Sequence, residues 1–156
     1  MQTFLPYSNF KESAKVLDWR RLGKQRVEAF QIINLLEKLE RNEQVKSKSW
    51  VNHPAVKMWQ GYTTLLKIYC NTMIEEWISR GYKNTMKIYF IDYNTYIEEP
   101  QWLGLQQLHK SHRSNLLRKL PEYYNKYFLF DQPETGYWWP YRRINGQWHC
   151  FFNQTT

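Results

Sequence analysis

Glu28 stands among cations. From Trp19 the chain reads Trp-Arg-Arg-Leu-Gly-Lys-Gln-Arg-Val-Glu. At about 100° per residue, a helix gathers Arg20, Arg21, Lys24 and Glu28 into one arc, with Leu22, Ala29 and Ile33 on the other side. A carboxylate in that company can orient or deprotonate a reacting amine or water. The same spacing also fits an ordinary Lys24–Glu28 pair on a solvated face, although lysine before glutamate is the weaker orientation. Amide N–H groups at the start of such a helix add an attraction for phosphate. Arg26 belongs to the same basic run.

A second basic cluster runs from His109 to Lys119. On a helix, His109, His112, Arg113 and Lys119 line adjacent parts of one face, with Arg118 beside them, and such a face suits phosphate or base contacts. Histidines three apart also suggest a metal, but no acidic or cysteine partner stands at ligand spacing, so no metal is expected. His53 precedes Pro54 and reads as a helix cap. Tyr137-Trp138-Trp139-Pro140-Tyr141-Arg142-Arg143 interleaves rings with arginines. That segment reads either as a stacking surface for unpaired bases or as a hydrophobic lid on a helical core. Walker-type, dinucleotide-binding, nucleophile-elbow and zinc patterns are all missing from the sequence.

The chain has 156 residues, 42% of them apolar, which suits one domain with a real core. Its 22 Lys and Arg against 14 Asp and Glu leave a formal charge of +8, which attracts polyanions. Nucleic acid comes first and an anionic membrane surface second. An aromatic content of 18% favours nucleic acid further, because flat side chains can stack on exposed bases. Cys70 and Cys150 make no disulfide framework, and Cys70 falls among apolar helix positions. No apolar run reaches the roughly 20 residues of a membrane helix, and the start lacks a signal-peptide pattern, so a soluble intracellular protein is expected.

The elements that must position these residues are mostly helical. Asn9 followed by Glu12 predicts a short helix within 8–18. Asp18 can cap a long helix running to about Arg41, buried along Leu22, Ala29, Ile33, Leu36 and Leu39. Residues 42–49 read as a surface loop. A second long helix is predicted from Pro54, capped by His53 or Asn52, with Trp59, Tyr62, Leu66, Tyr69, Met73 and Trp77 on its inner side. It ends at Arg80-Gly81. Residues 83–99 read as irregular. A third helix covers about 104–120 and stops at Pro121; a short helix and irregular chain follow to the end. The expected fold is mainly α, one compact domain over 1–156, with about three main helices and an aromatic-rich irregular C-terminal segment.

Five stretches resemble the pyrimidine-dimer DNA glycosylase/AP lyases of phage endonuclease V type, in a bacterial and viral branch that opens Met-Gln-Thr-Phe-Leu-Pro-Tyr. They are Met1 to Tyr7, Arg21 to Glu28, Asn52 to Trp59, His109 to Ser114 with Leu117 to Lys119, and Tyr137 to Pro140. Likeness to the phage enzyme itself is weaker and rests on the early basic helix with its glutamate, on Glu76 to Tyr82, and on Pro100-Gln101 leading to His109. The resemblance implies a metal-free and cofactor-free reaction in which the N-terminal α-amine attacks C1′ of the damaged nucleotide. Base release, a Schiff base and β-elimination follow. α-Amines, with an ordinary pKa of about 8, keep a useful unprotonated fraction near neutrality.

Carried onto this sequence, the resemblance assigns the amine to Met1 and the assisting carboxylate to Glu28. The phage enzyme exposes a threonine after methionine removal, whereas Gln2 is large enough to block that removal, so Met1 is expected to stay. The grip on a kinked duplex, with a base opposite the lesion flipped out, falls to Arg20, Arg21, Lys24 and Arg26, with His109, His112, Arg113, Arg118 and Lys119. The expected partner is double-stranded DNA containing damaged bases, bound by a monomer, with no membrane involved. Two alternatives stay open: a glycosylase for another modified base, and a non-catalytic helical nucleic-acid-binding module.

Overall fold

Asn9 starts α1 (Phe10–Val16) as its spacing predicts: its side-chain oxygen accepts the Glu12 backbone N–H at 2.9 Å. Then come α2 (Trp19–Glu40), the short α3 (Lys48–Val51) and α4 (Pro54–Lys57), and the long α5 (Thr63–Ser79). They are followed by α6 (Gln106–Lys119), α7 (Pro121–Tyr124), and an antiparallel hairpin of β1 (Tyr137–Arg142) and β2 (Trp148–Asn153). This computed structural model describes residues 1–46 and 48–153. They are mainly α, as the sequence predicts, and none of their helices is long and apolar enough to cross a membrane. Two compact units form: Met1–Thr3 with Trp19–Pro100, and Phe4–Asp18 with Gln101–Thr156.

The first unit is organised by α2 against α5. Leu22, Gln25, Ala29, Ile32, Ile33 and Leu36 form the buried stripe of α2 at three- and four-residue steps. Leu66, Tyr69, Cys70 and Met73 are fully buried on α5. Gly23 lets the two helices approach: a Cβ there would lie 3.1 Å from Cζ3 of Trp77. The helix expected from Pro54 to Arg80 is divided. It breaks after Lys57 and resumes at Thr63, with Gly61 at a φ of +87°, a left-handed value that glycine adopts without a Cβ penalty. Part of the expected 42–49 loop is also helical, in α3. Residues 83–99 are irregular as expected, and Asn71 ties them down. Its amide donates to the Tyr89 carbonyl and accepts the Tyr89 N–H, both at 2.8 Å.

In the second unit, α6 packs on β1 and α7. The hairpin corrects the expectation of irregular chain. Pro140 weakens the strand signal, yet a two-stranded ribbon leaves each strand a free edge where a missing N–H is tolerated. Asn145-Gly146 turns the ribbon, with Gly146 at a φ of +83°.

The α6 histidines are enclosed in this unit. His109 and His112 are 2% and 0% exposed, so they offer no phosphate-binding face. His109 Nδ1 donates to the Leu5 carbonyl at 2.8 Å while its Nε2 accepts the Gly104 N–H at 2.9 Å. His112 Nδ1 accepts the Leu5 N–H at 2.8 Å, and its ring meets those of Phe4 and Tyr137 edge-on. Two neutral imidazoles one turn apart thus hold both backbone groups of one residue. Arg113 is turned inward too, bonded to Asp131 and to the Pro6 carbonyl, each at 2.8 Å.

Burial first, then the nearby His109 and Arg113, push the His112 pKa down to about 3. The unfolded chain takes up this proton below its ordinary 6.5, whereas the folded chain refuses it until about pH 3. Stability is therefore complete above that ordinary value and falls as the pH drops through the window. The slope from one proton is about 1.4 kcal/mol per pH unit, and His109, also shifted down by burial, acts in the same direction. Urea unfolding from about pH 7 to about pH 4.5 is expected to show a steeper loss for the native protein than for His112→Gln. Parallel curves would contradict this assignment.

Candidate functional site

Residues Met1–Thr3 are built into the α2–α5 unit. Thr3 is wholly buried; its hydroxyl accepts the indole N–H of Trp59 at 3.0 Å and lies 4.0 Å from the Met58 sulfur. The break between α4 and α5 is where Trp59 sits, fully buried, to make that bond. Thr3 N–H donates to Gln2 Oε1 at 2.9 Å.

Glu28 receives the next link. The Gln2 backbone N–H donates to its Oε2 at 3.4 Å, and Gln25 Nε2 donates to the same oxygen at 3.1 Å. Tyr69 in turn donates its hydroxyl to Gln25 Oε1 at 2.7 Å. Burial, and then the negative charge of Glu28, hold the Tyr69 phenol well above its usual range, so it remains a donor. A chain of oriented groups therefore runs from α5 through α2 to the residue next to the terminal amine. Both bonds fall on Oε2, and Oε1 takes none among the described residues.

His53 caps α4 as the sequence predicts, its Nδ1 accepting the Ala55 N–H at 3.0 Å. It also faces the chain start electrostatically. Burial, followed by the positive charge of the N-terminal amine, lowers its pKa below the ordinary imidazole value. The neutral ring keeps its capping lone pair. Trp50 stacks on it, with ring centroids 6.3 Å apart and planes 27° from parallel.

Two hollows open along α2. One, about 640 Å³, is lined by Arg20, Gly23, Lys24, Val27 and Glu28 beside Trp19. The other, about 590 Å³, is walled by the half-buried Met1, by residues from the C-terminal half of α2, and by Gln44, Val45, Lys46 and Trp50. Gln31 lines both. The structure thus brings Arg20 and Lys24 together with Glu28, and sets Met1 on the adjoining hollow.

Other expected contacts go elsewhere. Arg21 is half-buried and lies outside both linings. Arg26 packs its guanidinium 4.0 Å over the Trp77 ring and donates to Asn84 at 3.2 Å, and desolvation lowers its pKa. It serves packing rather than an open groove. In the second unit, Arg118 donates to Asn115 at 3.1 Å, and Lys119 is exposed. Gln25, Gln31, Trp50 and Tyr69 escaped the sequence reading as site residues. Gln25 left one signal, a polar side chain on the buried stripe three residues before Glu28. Among the described residues no group of three or more His, Cys, Asp or Glu side chains is placed to hold a metal ion. Burial lifts the Cys70 thiol to about 12, so it is inert.

A mainly α, basic chain with a carboxylate held one residue from its terminal amine, beside two open cations, is equipped to handle a polyanion. A family model for pyrimidine dimer DNA glycosylases matches residues 1–90, more than half the chain, and the chain belongs to that family. Membership brings with it base excision at pyrimidine dimers and DNA as the substrate. The matched residues include Met1, Glu28 and His53, while α6 and the hairpin lie outside them. No curated protein and no solved structure matches the chain significantly.

The link through Gln25 is testable. Tyr69→Phe removes a buried hydroxyl that orients the Gln25 amide, and is expected to lower stability by about 1–2 kcal/mol in urea unfolding. An unchanged midpoint would separate Tyr69 from the Glu28 support.

Proposed function

We propose that the protein is a bifunctional enzyme on damaged double-stranded DNA, a pyrimidine dimer glycosylase whose excision step is followed by strand cleavage at the abasic site. The observation that carries this reading is the bond from the Gln2 backbone N–H to Glu28, which keeps a carboxylate within one residue of the chain's amine. The unprotonated Met1 amine attacks C1′ of the damaged nucleotide. The C1′–N1 bond breaks, its electron pair leaves with the base, and the base gains a proton. The attached amine then loses its proton and the sugar ring opens at O4′, giving an imine between Met1 and C1′. Loss of a C2′ proton follows, and the C3′–O3′ bond breaks with departure of the phosphate on that side.

Glu28 is the proposed proton carrier, its Oε2 fixed by two donors and its Oε1 left to the reacting sugar. Its negative charge also steadies the positive charge that develops at C1′. No metal takes part in these steps. Arg20 and Lys24, exposed in the same hollow as Glu28, are the proposed phosphate contacts. Arg21 and Lys119 are weaker candidates, as neither lines that hollow. Arg26, His109, His112, Arg113 and Arg118 are left out because their side chains are engaged in packing. We further propose that the whole chain, 1–156, works as a monomeric single glycosylase domain.

Borohydride reduction with an abasic duplex is expected to trap a covalent adduct on Met1, located by peptide mass analysis after an intact-mass check of the terminus. Absence of an adduct would refute the lyase step. Glu28→Gln is expected to slow trapping and dimer excision by about 100-fold or more while leaving duplex affinity nearly unchanged; full activity would remove Glu28 from the reaction. Arg20→Ala is expected to weaken binding and to lower the log–log salt slope by about 0.9, the contribution of one phosphate contact.

A further inference from the structure

We infer that the hairpin builds a second DNA contact, a cavity that takes one undamaged, unpaired nucleobase of a single-stranded stretch. The inference rests on DNA as the substrate and not on the amine chemistry. The cavity, about 350 Å³, lies wholly within the second unit and is walled by the turn that leads into α6 and by both strands. That volume stands at the lower end of small-ligand pockets, room for one ring system. Three of its walls are indoles: Trp102, which is buried, and Trp138 and Trp148, which are half-buried.

Strand alternation separates two uses of the aromatic run. Tyr137 and Trp139 are buried on one face, where Tyr137 meets the rings of Phe4 and His112. Trp138 takes the opposite face, and the register sets Cys150 and Trp148 on that face too. The first pair is core, and the second set is left to the cavity. Its walls are held in place. The Trp138 N–H donates to Ser111 Oγ at 3.1 Å, which fixes β1 to α6, and the Trp138 ring lies 5.5 Å from that of Phe152. The Leu105 N–H donates to the Trp102 carbonyl at 3.1 Å and closes the turn that carries Trp102. Indoles braced in this way are platforms for a flat ring.

The polar groups select the kind of ring. Gln101 and Gln107 bring exposed amides, each with donors and an acceptor. His149 belongs to the same lining, and its Nε2 is buried without a hydrogen-bond partner among the described residues. An unmet ring nitrogen is costly, so a ligand with a polar edge is favoured over a plain hydrocarbon. Burial pushes the Cys150 thiol up to about 11, which keeps that wall neutral. No Asp or Glu lines the cavity, so a cationic ligand meets no counter-charge. Arg142 holds its guanidinium 4.7 Å over the Trp148 ring, and the exposed Arg143 follows it. These two cations favour a polyanion over a neutral peptide. A nucleobase on its sugar-phosphate answers every feature: a ring for the indoles, polar edges for the amides and His149, phosphate for the arginines. Paired bases keep their faces inside the stack, so only an unpaired one can enter.

The experiment compares native protein, Trp148→Ala, Trp148→Phe and Gln107→Ala on two undamaged duplexes, one blunt and one with an oligothymidine overhang. Native protein is expected to bind the overhang duplex about tenfold more tightly or better, the size of one base–aromatic stack. Trp148→Ala should abolish that preference while leaving blunt-duplex affinity, and borohydride trapping on a blunt abasic duplex, as they were. Trp148→Phe should recover most of the preference, and Gln107→Ala should lose part of it. Photo-crosslinking from a 5-iodouracil placed in the overhang should map to Trp138, Trp148 or His149. No preference in the native protein, or one that Trp148→Ala keeps, would overturn the inference. Equal loss on both duplexes and in trapping would mark Trp148 as structural and overturn it as well. Indole N–H shifts of Trp138 and Trp148 that answer to a proline-rich peptide but not to the overhang would reassign the cavity to a protein partner, with the same result. Failure of the native protein to trap the abasic duplex would sink the lyase step and leave this inference standing.

Discussion

A chain terminus folded against helices must find acceptors for the backbone N–H groups it buries, and the acceptor for the second residue is Glu28. The Gln2 N–H bond to Oε2 depends on a carboxylate held in place from behind. Gln25 holds it, Tyr69 holds Gln25, and the pairing of α2 with α5 decides where Tyr69 lies. Thr3 is anchored separately by Trp59, which the break between α4 and α5 delivers. The bonds that fold the terminus therefore also order the groups around it.

α2 does two jobs with two faces. Its inner stripe is core, and Gly23 thins that side enough for the Trp77 ring. Its outer side keeps Arg20, Lys24 and Glu28 on one hollow, then Gln31, Asn34 and Lys38 on the next. Charge is concentrated toward the N-terminal half and amides toward the C-terminal half. A helix cannot change the mutual order of its side chains without unfolding, so these charged and amide groups keep a constant spacing.

The histidines illustrate how environment sets role. His109 and His112 are neutral because burial makes a charged imidazole costly, and a neutral ring can accept a backbone N–H through its lone pair. His53 is also pushed toward neutrality, partly by the amine it neighbours, and its lone pair is spent on Ala55. None of the three contributes to the positive surface. That work is left to lysine and arginine, whose charges survive partial burial.

Periodicity sufficed for α2 and α6, and capping signals for α1 and the end of α5, because those depend on neighbours three or four positions away. The same arithmetic put Arg20, Lys24 and Glu28 on one face, and they share one hollow. It went wrong where a long-range contact outweighed local pattern. The Pro54 helix breaks after Lys57, where Trp59 reaches Thr3, and the hairpin pairs two aromatic segments across Asn145-Gly146. The sequence by itself determined the helical class, the positive charge and the side-by-side order of groups along each helix, since these follow from composition and from the helical repeat. Only the tertiary structure decided which polar side chains are buried and neutral, which stay open, and that the amine of Met1 and the carboxylate of Glu28 share a neighbourhood. Those depend on residues far apart in the chain meeting in space, and no spacing along the chain encodes that meeting.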